Sequence, residues 1–413
     1  MEKILNLFIL LPHIIVADYT LYKVTAFNSL ERSILYEIHF KSHYFYFMNG
    51  VTNEAIIPMD IIVEGSRTKT FERLLIRNNI QFSKFPEEHV FQNTEEDKEF
   101  WNWNAVTTWV NEHVTKHKEL KKIVIAKTFE KRDVFILKLS SEKKKVAVFI
   151  MGGEIARDWV TPAIILNLIK ELLEKKSLKV LTDYYDFYFL PFMNPDGYVF
   201  SRNVRRFWAK NKKVFIPKID CLYNNTAEGV NLNRNWHFAK SSYNVIDQEC
   251  NAVYIGQFPL SEEETFSLSF ALNNLALDLM AFINVKGFNR LITIPFGNEA
   301  VSVNHDILME LITLASDTMK EKYNITYYVG KTEKYIYNSS GNVADWVKKM
   351  LNIPIVYTVY LKHGDKVLPK LQDVNSLTQQ LSTILNETLT MARDIYGPLF
   401  NNSYKLIIQV KKY

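Results

Sequence analysis

Two rhythms of apolar and polar positions divide the chain. Between residues 18 and 97 the apolar runs are short and mixed in period. Residues 22–26, 60–63 and 80–85 read as strands, the last by strict alternation. Residues 30–39 and 69–78 place their apolar side chains on one face of a helix. That order predicts a compact α+β unit. The polar, charged stretch 93–98 is a connector to the longer second part of the chain.

Beyond the connector, strand and helix patterns alternate, which predicts an α/β fold. Residues 134–139 and 146–151 read as strands, with polar 140–145 between them as a hairpin turn. The next element is a helix, with Thr161 as its cap, Pro162 at its first position, and Ile165, Leu168, Ile169 and Leu172 on one face. Residues 187–192 are almost continuously apolar, as a strand buried on both faces should be. Ser261 and Glu264 have the spacing of a capping box. Residues 353–361 form a late core strand, and the chain after about Tyr396 reads as a tail.

Composition narrows the function classes. The chain has 413 residues, 47% of them apolar, enough for a large domain beside a smaller one. Its 50 Lys and Arg are interspersed with 45 Asp and Glu, which argues against a nucleic-acid partner. Residues 1–17 read as a signal peptide: Lys3, an apolar run, and Ala17 at a cleavage point. No later stretch is apolar enough to span a membrane, so the expectation is a secreted monomer. Two cysteines, Cys221 and Cys250, fit one disulfide in an oxidising compartment or, alternatively, two unpaired core thiols. Sequons at Asn224, Asn324, Asn338, Asn386 and Asn401 matter only in a secreted chain.

Five segments, in order, carry a family resemblance. They are 153–163 (GEIARDWVTPA), 194–198 (NPDGY), 229–236 (GVNLNRNW), 254–262 (YIGQFPLSE) and 336–346 (IYNSSGNVADW). Together they resemble the zinc carboxypeptidases of the pancreatic A/B type, from about residue 100 to about 396. Residues 18–97 resemble, more loosely, the activation segment of that family. The resemblance implies a mixed central sheet of about eight strands with helices on both faces. It also implies a leading unit lying over the cleft. The boundaries expected are 1–17, 18–97, 98–396 and a tail at 397–413.

A hydrolytic zinc needs three protein ligands and an open position for water, a carboxylate base and an oxyanion donor. By the resemblance, the ligand positions hold Ile155, Asp158 and Lys286 here, so at most one ligand of three survives. The base position is Tyr360 and the oxyanion arginine is Ala209. The aspartate that orients the first histidine is Asn231. No cofactor is therefore expected, although zinc is the family's metal. His113 and His117 have helical spacing, but no third ligand stands near them in the sequence. Lys286 and Asp158 are expected to pair directly in the vacated metal site.

The substrate-binding positions fare better. Asn233 and Arg234 match the pair that grips a terminal carboxylate, and Tyr337 matches the tyrosine that closes over it. Arg157 and Arg206 match flanking arginines, and Ala344 stands where the terminal side chain is read. Three readings are open. The favoured one is a non-catalytic protein binding peptide or protein C-termini. The others are a working metallocarboxypeptidase, which needs a new metal site, and a scaffold with a blocked cleft. By the resemblance, the Cys221–Cys250 bond would restrain Asn233 and Arg234.

Overall fold

The computed structural model describes residues 19–402, apart from 42–43, 49, 55–56, 86–99, 142–144, 175–177, 216–219, 222–224, 227, 237–248, 299, 338, 340, 363 and 365–367. The expected leader at 1–17 and the connector at 93–98 lie outside the described residues.

The leading unit is an antiparallel sheet of β1 (Tyr19–Thr25), β2 (Phe45–Phe47), β3 (Met59–Glu64) and β4 (Gln81–Phe85), in the order β2-β3-β1-β4. Helices Ser29–Lys41 and Thr68–Arg77 cover one face. Alternate residues Tyr22 and Val24, with Ile61 and Val63, point into a core closed by Leu35, Phe71 and Leu75. This agrees with the α+β reading, with β2 as the strand the pattern missed.

The large unit is built on an eight-stranded sheet, order β13-β12-β14-β11-β7-β8-β6-β5. Its strands are β5 (Leu120–Lys127), β6 (Asp133–Leu139), β7 (Val146–Met151), β8 (Tyr185–Leu190), β11 (Leu279–Gly287), β12 (Leu291–Ile294), β13 (Tyr328–Lys331) and β14 (Ile355–Leu361). A separate ribbon joins β9 (Asp220–Cys221) to β10 (Asn225–Thr226). The middle of the large sheet is parallel, from β14 through β11 and β7 to β8, and β6 and β5 close one side antiparallel. Both faces are covered. Val148 and Ile150 of β7 pack into one core with helices Val160–Glu174, His305–Tyr323 and Val374–Asn402. Ala147, Phe149 and Met151 pack into the opposite core, with Glu263–Leu275. The near-continuous apolar runs result from this double burial.

Four local expectations need correction. Residues 140–145 do not form a hairpin, because β8 inserts between β6 and β7 and pairs with each. The helix Val160–Glu174 starts one residue before Thr161 and is capped by Asp158, whose carboxylate accepts from the Thr161 amide (3.3 Å) and hydroxyl (2.6 Å). Ser261 and Glu264 do not form a capping box. The helix starts at Glu263, and the Ser261 hydroxyl instead donates to Glu262 and accepts from Asn235. The C-terminal helix continues past Tyr396 to Asn402, so the tail expected from 397 begins as helix.

The leading unit sits on the open end of the parallel strands. Leu21, Tyr46, Met48 and Ile62 form one apolar cluster with Phe207 and Phe288 of the large unit. Residues 51–53 run antiparallel to 335–337: the Tyr337 amide donates to Val51 (2.8 Å), the Asn53 amide donates to Tyr335 (2.9 Å), and Thr52 bridges Ile336. Lys362 reaches Asp60 at 2.8 Å. No helix among the described residues is long and apolar enough to cross a membrane.

Candidate functional site

The carboxyl ends of β7, β11 and β14 meet where an open parallel sheet ordinarily holds its ligand. Strand alternation sets what they present there. On β11, Asn284 and Lys286 face the same side, and Lys286 stands beside Tyr360 in the ladder with β14. The segment after β7 adds Glu154, Ile155, Arg157 and Asp158, and the turn after β10 adds Asn231, Asn233 and Arg234.

A cavity of about 80 Å³ opens between them. Of the residues anticipated, it is lined by Ile155, Asp158, Lys286, Ala209, Tyr360, Asn231, Asn233, Arg234 and Arg157. The leading unit contributes His39, Phe47, Met48 and Gly50 to the same lining. No local pattern in the sequence could have revealed that roof, because it depends on how two separately folded sheets meet.

Three anticipated residues are placed elsewhere. Arg206 lies flat over Trp159, 3.5 Å from the ring centroid, and donates to the Arg157 carbonyl (2.8 Å). Tyr337 packs against the core of the leading unit, its ring edge-on to Tyr36 with centroids 5.3 Å apart. Ala344 is buried among Trp236, Val343 and Trp346.

Lys286 does not pair with Asp158. Its ammonium lies 3.1 Å from Glu154 Oε2 and donates to Asn233 Oδ1 at 2.6 Å. The reason is that Asp158 is already engaged. Besides Thr161, it accepts the Gly287 amide at 2.7 Å. Gly287 allows that approach, since a Cβ there would meet Asp158 Oδ1 at 2.8 Å. Burial pushes the Asp158 carboxyl above its usual range, opposed by those hydrogen bonds. Glu154 stands next to Ile155 in the sequence, and its role went unread because it matches no ligand position.

The rest of the lining is shaped by burial. Tyr360 is pushed up by desolvation, and the Lys286 charge only partly offsets this, so it stays a phenol rather than a base. His39 is fully enclosed, with its centroid 4.7 Å from Phe47. Desolvation, and then the charges of Arg157 and Arg234, push it down to about 3, so the ring is neutral. Arg157, lowered to about 10 by burial, donates to the carbonyls of Phe47 (2.7 Å) and Phe207 (3.3 Å). Asn231 holds the turn, accepting the Asn233 amide (3.1 Å) and donating to Ala252 (3.1 Å).

Comparison with known proteins decides the family. The model described as zinc carboxypeptidase matches residues 106–390. The chain belongs to the zinc carboxypeptidase family. It is 31% identical over 264 residues to a zinc carboxypeptidase of Simulium vittatum, covering 63% of this chain and 84% of that one. It is 29% identical to zinc carboxypeptidase A 1 of Anopheles gambiae (75% of this chain, 73% of that) and to human carboxypeptidase O (67% and 75%). Among solved structures, carboxypeptidase A of Helicoverpa armigera superposes with a TM-score of 0.78 at 18% identity, covering 92% of this chain and 98% of that one. Thrombin-activatable fibrinolysis inhibitor gives 0.74 at 20%, covering 91% and 98%. At these identities the structures speak for the fold alone.

The family normally binds zinc, and the residues of this cavity do not fit that ion. One ligand position carries an ammonium already held by Glu154 and Asn233. Another carries a side chain without a donor atom, Ile155. The third, Asp158, is committed to Thr161 and Gly287. Among the described residues no group of three or more His, Cys, Asp and Glu is placed to hold a metal. His113 stacks on Trp109 at 3.8 Å and bonds its carbonyl, while His117 lies beyond the helix end near Glu119 (3.8 Å).

Proposed function

We propose that this chain is a secreted, non-hydrolytic member of the zinc carboxypeptidase family that retains a grip for peptide C-termini. The observation that carries the reading is the Lys286 ammonium, seated between Glu154 and Asn233 at a ligand position of the family's metal. A dication cannot share that place with a buried cation. Tyr360 in place of the base and Ala209 in place of the oxyanion arginine remove the other parts of the reaction. The carboxylate grip is Asn233, whose amide nitrogen has no partner among the described residues, together with Arg234 on the same lining. With the leading unit seated, His39, Phe47, Met48 and Gly50 roof the cavity, so binding of a peptide belongs to the opened cleft. The reading includes residues 1–17 as a leader, 18–97 as an activation-segment-like domain, a Cys221–Cys250 disulfide, glycans at the sequons, and a monomer. Among the described residues no cysteine is free, and the side chain of Cys221 lies outside them.

The test has two arms. Zinc content and peptide release are measured on the purified chain before and after limited proteolysis between the two units. Stoichiometric zinc with release of C-terminal residues would establish the working enzyme instead. Binding of peptides ending in a free apolar residue is then compared with that of their C-terminal amides. The amide should bind about tenfold to a hundredfold more weakly, the value of one charge-assisted hydrogen bond. Arg234→Ala should weaken binding of the free acid similarly. Equal binding of acid and amide would favour the scaffold reading, which the packing of Phe47 and Met48 over the cleft supports.

A further inference from the structure

Beside the cavity, an internal segment of the leading unit is seated on the large unit as an extended strand. The Asn53 amide donates to the Tyr335 carbonyl (2.9 Å) and the Tyr337 amide to the Val51 carbonyl (2.8 Å), so the two backbones pair antiparallel around Thr52 and Ile336. The Asn53 side chain lengthens the ladder by donating to the Glu333 carbonyl at 2.6 Å. Four residues on, Ile57 is buried among Leu291, Tyr335, Ile336 and Tyr360. The Thr52 hydroxyl donates to the Ile57 carbonyl (2.8 Å) and the Ile57 amide to the Glu54 carbonyl (3.1 Å), which sets the plug at a fixed place relative to the paired residues.

The large unit's half of this seat is held by the large unit alone. The Glu333 amide donates to the Phe296 carbonyl (3.2 Å), the Ile336 amide to the Thr332 carbonyl (2.9 Å), and the Tyr335 hydroxyl to the Val329 carbonyl (2.8 Å). Leu291 and Tyr360 are paired neighbours on β12 and β14. Lifting the leading unit therefore uncovers a backbone donor and acceptor at set spacing beside an apolar pocket, the two parts of recognition by strand addition. Tyr360 suits the pocket to an aliphatic side chain, because a carboxylate base at that position would lose water against Ile57. We propose that residues 333–337, with the pocket of Leu291 and Tyr360, form a docking site for an extended protein segment that carries an aliphatic side chain four residues after its paired position. In the intact chain residues 51–57 fill it, and in the opened chain a partner's segment does. This docking rests on the opened cleft proposed above, and it asks for no free C-terminus, since residues 51–57 are internal.

The probe is a peptide of residues 51–57 (VTNEAII) with a fluorescent label on its amino end and an amide on its carboxyl end. Its binding to the full chain carrying Ile57→Ala, which loses the plug, is read by fluorescence anisotropy. The expected result is saturable binding to the variant and binding at least about tenfold weaker to the wild-type chain, whose own tethered segment competes at high local concentration. Two altered peptides should each bind the variant about tenfold more weakly or worse. One carries Ile57→Ala, and the other is N-methylated at the Asn53 amide, which removes the donor to Tyr335 and keeps every side chain. No saturable binding, equal binding to variant and wild type, or no loss on N-methylation overturns the proposal. So does a variant that dimerises in sedimentation and excludes the peptide, since a second copy would then be the occupant. Should the variant fail to fold, amide exchange on the wild-type chain decides: slower exchange at Tyr337 with excess peptide than with a peptide of the same composition in another order supports the site, and equal exchange overturns it. Because the probe has no free carboxylate, its failure leaves the C-terminus grip standing, and equal binding of acid and amide peptides leaves this site standing.

Discussion

The two walls of the cavity satisfy their polar groups in different ways. On the metal wall, where we propose that the family's ion is lost, the polar groups pair among themselves: Lys286 meets Glu154 and Asn233, Asp158 meets Thr161 and Gly287, and Tyr360 and Ile155 supply bulk. On the facing wall Arg157 Nε and His39 Nδ1 are enclosed without a partner among the described residues, and closure comes from a separate unit laid across them. A side chain can stand in for a metal when it brings both charge and a partner. The facing wall has no such internal pairing and depends on the leading unit for its closure.

The contrast between the walls puts the largest effect at Lys286. Lys286→Ala leaves Glu154 buried without a cation and should cost about 3–5 kcal/mol of unfolding free energy, read by denaturant titration. The pair buried at 9% and 2% side-chain exposure is in the regime where that figure applies. Replacing both partners, Lys286→Met with Glu154→Leu, should recover most of the loss, because no charge is then stranded. A Lys286→Ala chain as stable as wild type would mean that the metal wall is not held by its ion pair.

The facing wall should show itself in acid. His39 has a folded pKa of about 3 against an ordinary 6.5. Between those values the unfolded chain binds a proton that the folded chain refuses, so stability falls as pH drops, by about 1.4 kcal/mol per pH unit. From pH 6.5 to pH 5 the loss assigned to this group is therefore about 2 kcal/mol. Asp345, raised to about 7, and Glu264, raised to about 8, work in the opposite sense, since their folded forms hold protons the unfolded chain releases. The measurement is thus a difference: the pH slope of wild type minus that of His39→Phe, by denaturant unfolding. Parallel slopes would show that the imidazole is solvated, contrary to its place in the cavity.

How much of this was legible in the sequence depends on the range of the interaction. The α/β order, the leading α+β unit and the apolar strands at β7, β8 and β14 come from local period, and the structure returns them within a few residues. The hairpin at 140–145 failed because a polar turn says that a strand ends, not which strand comes beside it, and β8 enters from some forty residues later. At the site, the motifs placed Ile155, Asp158, Lys286, Ala209 and Tyr360 on one lining, and the structure brings these five together. The partner of Lys286 was not readable. Two positions that share a metal need not touch once the metal is absent, and the amide of Gly287 competes for Asp158 in a way only the β11 backbone reveals. His39 was invisible for a stronger reason: it occupies an ordinary buried position on its helix and reaches the cleft only through the docking of the two units.

The smallest effect tests how the leading unit holds the tyrosine segment. Tyr337 is fixed by its backbone bond to Val51 and by the edge of the Tyr36 ring, 5.3 Å away at 71°. An aromatic pair of that geometry contributes about 0.5–1.5 kcal/mol beyond its area. Tyr36→Leu keeps the apolar contact and removes the ring, so global stability should fall by about 1 kcal/mol or less. The local effect should be larger than the global one. Amide exchange at Tyr337 should quicken by more than at β11, because the 335–337 pairing can open without the sheet. Equal changes at both places would mean that the segment unfolds only with the whole molecule, and the roof over the carboxylate wall would then be as integral as the ion pair of the metal wall.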